Sequence, residues 1–115
     1  MAAMLRVINL EDGMPSLEQA RSAMLDELRR GREAGVTGLK LIHGYGSSGV
    51  GGTLRLGLGA TLTQQQKAGQ IQRVIFGENW RVSDPDTWAV LQKYSALKQD
   101  RDLGRGNKGI TLVFF

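Results

Sequence analysis

His43 is the only histidine in the chain, and its ordinary pKa is the one closest to neutrality. Two adjacent carboxylates, Glu11 and Asp12, are the candidate partners. Either acid, given a suitable pKa, would orient a water or accept a proton while His43 acts as the acid. The same acidic pair beside a basic loop is a candidate for a divalent cation. Adjacent acids in a loop are also commonly just solvated, and a histidine at a strand end is also a common structural group or ligand contact. The chain has no cysteine and one histidine, so thiolate and multi-histidine metal sites within it are excluded, and no metal ligand set is assigned.

His43 opens the run Gly44-Tyr45-Gly46-Ser47-Ser48-Gly49. Glycines at this density let a backbone approach a ligand and turn its N–H groups toward an anion. No Asp or Glu occurs from Ala34 to Gly77, whereas Lys40, Arg55, Lys67 and Arg73 fall inside, as many charges as the formal net charge of +4. The run matches G-x-G-x-x-G, but no acid follows about 20 residues on to hold a ribose, so a dinucleotide is disfavoured. No Gly-Lys-Ser/Thr is present, which excludes a Walker loop. A turn in which glycines only relieve sterics is the plain alternative. Arg55, just beyond the loop, is the best placed phosphate contact. Arg105 and Lys108 flank a second glycine-rich loop at 104–109. If both loops share one edge of a sheet, they form a groove with Tyr45 available to stack on a base.

The elements that must position these residues read as follows. Residues 5–10 have the β-branched content of a strand. Ser16 and Gln19 fit a capping box for a helix carrying Leu17, Ala20, Met24, Leu25 and Leu28 on one face, with Gly35 as its stop. Residues 37–42 form the next strand, parallel to the first, with Lys40 expected toward solvent on a half-buried face. Leu54, Leu58 and Leu62 suit a helix over about 52–67, although Leu54, Leu56 and Leu58 alternate as in a strand. A third strand covers 71–76. Asp84 and Pro85 start a helix to about Lys98, in which Trp88 is expected as a core anchor, while Trp80 is open between core and stacking. Residues 110–115 are apolar at nearly every position and form a closing strand that lies centrally or under a helix.

Taken together, Leu41-Ile42-His43-Gly44-Tyr45-Gly46-Ser47-Ser48-Gly49, Val50 to Leu54, and Gly106-Asn107-Lys108-Gly109-Ile110-Thr111-Leu112-Val113 resemble elements of the small MutS-related (Smr) domain family. The resemblance spans most of the chain, with residues 78–104 as an insertion carrying an extra helix. It implies an α/β fold: a compact two-layer sandwich of a mixed four-stranded sheet with two helices on one face, similar to the C-terminal domain of translation initiation factor three. It implies a DNA or RNA partner, contacted through the His-Gly-x-Gly loop, and endonuclease activity as a candidate. A protein-interaction adaptor docking through the sheet edge or the Trp-bearing insertion is the alternative. The family's L-D-x-H motif is altered here. In one register Asn9 replaces its Asp and Glu11 its His; in the other Leu10 and Asp12 stand there.

A chain of 115 residues is sized for one domain, and its 41% apolar and 23% charged content is that of a soluble globular protein. The start lacks the basic and apolar pattern of a secretory signal, and no apolar run approaches the ~20 residues of a membrane span. A cytoplasmic location, no membrane and a monomer are the expectations.

Overall fold

Local signals set the first elements. Ser16 accepts from the Gln19 N–H, and the Gln19 side chain accepts from the Ser16 N–H, completing the capping box. Gly35 caps the other end of the helix. The computed structural model describes residues 4–45 and 50–115. Its strands are β1 (Leu5–Asn9), β2 (Gly38–Ile42), β3 (Arg73–Phe76) and β4 (Ile110–Phe114); its α-helices are α1 (Leu17–Ala34), α2 (Val50–Lys67) and α3 (Pro85–Lys93). Short 3-10 turns occupy Gly77–Asn79 and Ser95–Gln99.

The sheet order is β1-β2-β4-β3. β1 runs parallel to β2, as the βαβ reading requires, and β4 is antiparallel to both β2 and β3. The mixed four-stranded sheet with α1 and α2 on one face is the α/β sandwich expected from the sequence. Alternation along each strand divides the side chains between two cores. Ile8, Leu39, Leu41, Val74 and Val113 face α1 and α2, meeting Met24, Leu28, Leu54, Leu58 and Leu62. Leu5, Ile42, Ile75, Leu112 and Phe114 face the other way, toward the inserted segment. α2 settles the ambiguity at 52–67 in favour of the helix.

The inserted segment differs from expectation in two respects. α3 ends at Lys93; Tyr94 leaves the helical conformation and a 3-10 turn replaces the last helical turn expected to Lys98. The buried face of α3 is Thr87, Val90 and Leu91, rotated by one residue, so Trp88 is 54% exposed and is not the core anchor. Trp80 takes that role. It is fully buried, its ring 6.1 Å from that of Phe114, and its indole N–H donates to Asp100 at 3.0 Å. Lys40 does not reach solvent either: it is buried, and its ammonium lies 2.7 Å from both Asp100 and Asp102.

Gly77 fixes the insertion to the second glycine loop. A Cβ there would overlap the backbone carbonyl of Asn107. Only glycine permits that approach, which joins the end of β3 to the loop preceding β4.

Candidate functional site

The two glycine loops meet. The Gly109 carbonyl accepts from both the His43 N–H at 3.0 Å and the Gly44 N–H at 3.1 Å. Gly44 has φ +76°, a left-handed conformation natural to glycine, and it turns the chain away from β2. Tyr45 follows, 56% exposed, with the Lys108 ammonium 5.1 Å from its ring centroid and 3.4 Å from its hydroxyl. The second loop is held by Asn107, whose side-chain oxygen accepts from the Gly109 N–H at 2.9 Å. Gly46, Ser47, Ser48 and Gly49, expected as phosphate contacts, lie outside the described residues.

Beside these loops is a groove of about 820 Å³ lined by Val7, Glu11, Ile42, Tyr45, Arg101 and Lys108 among others. It opens on the sheet face that carries the insertion. Glu11 reaches it because Asn9 builds the preceding turn: the Asn9 side-chain oxygen accepts from the backbone N–H groups of Glu11 at 3.0 Å and Asp12 at 3.1 Å. Asn9 thus shapes the loop at the altered motif. Asp12 is exposed and does not line the groove.

His43 is placed differently from these residues. One position beyond Ile42, it turns to the sheet face covered by α1 and α2, and it is 1% exposed. Its Nδ1 is 2.8 Å from the Gly44 carbonyl and its Nε2 2.9 Å from the Thr111 hydroxyl. The carbonyl can only accept, so Nδ1 carries the proton and, in the neutral ring, Nε2 accepts from Thr111. Burial pushes the pKa below its ordinary value, outweighing the Gly44 hydrogen bond that raises it; Arg55 lowers it further, while Glu11 and Glu78 raise it. The imidazole is a neutral, doubly bonded group with no nitrogen open to a substrate. Neither Glu11 nor Asp12 is among its hydrogen-bond partners.

The cations expected to attract phosphate are largely consumed inside the fold. Arg55 forms an ion pair with Glu78, Arg73 pairs with Asp86 at 2.6 Å, and Lys40 holds Asp100 and Asp102. All these acids belong to the inserted segment, which neutralises three of the four cations of the acid-free window. Burial pushes the Asp102 carboxyl up, but hydrogen bonds from Lys40 and Asn107 outweigh it and hold the group below its ordinary range. Arg55 therefore stands apart from the groove, beside a cleft it shares with Leu56 and Phe76. Glu78, the residue sequence reasoning missed, is the first acid after the window, and that position was its only signal.

Three cations without an ion pair lie at or just before the second loop. Among the described residues, Arg101, Arg105 and Lys108 make no ion pair; Arg101 and Lys108 line the groove, and Arg105 is exposed between them in sequence. No group of acids or histidines suited to holding a metal occurs among the described residues, and none of their helices is long and apolar enough to cross a membrane. Compared with known proteins, the chain matches no family model, no curated sequence and no solved structure.

Proposed function

We propose that this protein is a nucleic-acid-binding domain of Smr type that uses the edge where its two glycine loops join. One observation carries the reading: the Gly109 carbonyl ties the backbone of His43 and Gly44 to the loop bearing Lys108, with Tyr45 exposed between them. An aromatic ring and unpaired cations on one edge suit a phosphate backbone with an accessible base. Arg101, Arg105 and Lys108 supply the charge, and Arg55 is held in reserve by Glu78. A cytoplasmic location belongs to the same proposal.

The proposal is one of binding. With both ring nitrogens engaged, His43 is a support for the loop, and any hydrolysis of RNA or plasmid by the purified protein should persist in His43→Gln. Binding is tested by titrating labelled single-stranded and duplex DNA and RNA at increasing salt. Three phosphate contacts on a single strand give a log–log slope of about −2. A flat salt dependence, or no binding at low salt, overturns the reading.

A second reading rests on Trp88 and Val82, 54% and 58% exposed on the inserted segment. Large apolar side chains so placed suit an adaptor that docks a protein partner. Its test is a purified partner whose binding is lost in Trp88→Ala and retained in Lys108→Ala.

A further inference from the structure

The inserted segment covers the second sheet face over β3 and β4, where Trp80, Val90, Leu91 and Leu97 pack on Ile75, Leu112 and Phe114. On β2 Lys40 is covered by Asp100 and Asp102, but at the middle of β1 the same face stays open. Val7, in the middle of β1, is 57% exposed there, and with Ile42 it lines the groove. We infer that this groove receives one unpaired base of a single-stranded nucleic acid. The inference rests on the nucleic-acid reading and names the form of substrate that the reading leaves open.

Size, polarity and charge each argue for that occupant. A groove of about 820 Å³ lies within the range of sites that hold molecules of nucleotide size. Val7 and Ile42 offer an apolar surface to the face of a base, and Tyr45 offers an aromatic one at the mouth, steadied by Lys108. Lys108 and Arg101 stand where the flanking phosphates would run, with no acid paired to either. Two acids line the same groove: Asp102 is held by Lys40, whereas Glu11 is an exposed carboxylate without an ion pair among the described residues. It repels phosphate and can only accept hydrogen bonds, so its match is the donor edge of a base. Cytosine, adenine and guanine present amino groups there, whereas uracil and thymine present a single N–H between two carbonyls. A base inside a duplex has both faces stacked and its pairing edge occupied, and it cannot enter without being extruded.

The test is fluorescence anisotropy at one fixed salt concentration. Labelled oligonucleotides of about twelve residues, in DNA and in RNA form, are compared with a hairpin duplex of matched composition. Either single strand should bind about tenfold more tightly than the duplex, the scale of one base–aromatic stack. Tyr45→Ala and Val7→Gln, both at exposed positions and checked for folding by circular dichroism, should each remove that advantage. Oligo-dC should bind more tightly than oligo-dT, and Glu11→Gln should narrow the difference. Equal binding of the two oligomers overturns the role given to Glu11. Duplex binding as tight as single-strand binding, or equal losses on both in Tyr45→Ala, overturns the inference while the nucleic-acid reading survives. No binding to any of them at low salt removes both.

Discussion

His43 and Lys40 sit three residues apart, on opposite faces of the sheet, and each is defined by its partners. Because burial lowers the His43 pKa, the folded protein resists a proton that the unfolded chain accepts near the ordinary value of 6.5. The unfolded state therefore binds more protons below that value, and stability falls as pH falls through it. The contribution is complete above pH 6.5 and lost progressively below. Urea midpoints at pH 7.5 and 5.5 should show the drop, and His43→Gln should remove much of it. Lys40 has a different consequence. Removing it alone leaves Asp100 and Asp102 facing each other with little access to water. Lys40→Met should cost about 3 kcal/mol by urea unfolding, the usual scale for breaking a buried pair. Converting both aspartates to asparagine in the same protein should recover much of that loss. The aspartates matter in acid too: Asp102 is held below its ordinary range, so its stabilisation is present at neutral pH and lost as pH falls through its folded pKa.

Among the elements, the short turn Gly77–Asn79 links the fold of the insertion to the charge of α2. It ends β3, presses Gly77 against the Asn107 carbonyl and delivers Glu78 to Arg55 on α2. Glu78→Gln should release the guanidinium and steepen the log–log salt slope for a single strand by about 0.7, one added phosphate contact. An unchanged slope would mean that Arg55 is too far from the path of the strand to contribute. The strands and α1 were legible in advance because their signals are local: capping box, glycine stop, β-branched runs. The inward face of α3 was not. Trp88 and Thr87 are neighbours, and the choice between them depends on which rotation lets Trp80 fill the space against Phe114. The acid-free window from Ala34 to Gly77 misled for a related reason. Linear spacing cannot register that acids at 78, 86, 100 and 102 fold back onto its cations. The meeting of the two glycine loops was legible, because a closing strand beside β2 brings residue 109 to residue 43.

At the scale of the whole molecule, one sheet is shared by two apolar cores, and neither face is complete without β4. Such sharing couples the faces into one cooperative unit. In a Trp88→Phe protein, emission reports Trp80 in the core beneath the insertion, while far-ultraviolet circular dichroism is dominated by α1 and α2. The two urea transitions should coincide. An earlier shift in emission would mean that the inserted segment opens separately from the rest. The position of β4 also orders events during synthesis. It is the last of the four described strands to be made, yet it lies between β2 and β3, and β3 pairs with no other of them. Until residues 110–114 leave the ribosome, β3 has no ladder to join, β1 and β2 form a bare two-stranded ribbon, and the Gly109 carbonyl that ties down His43 and Gly44 is missing. Vectorial folding from the N-terminus is therefore closed to this sheet: the sheet and the junction of the two glycine loops come into being together, once β4 has emerged.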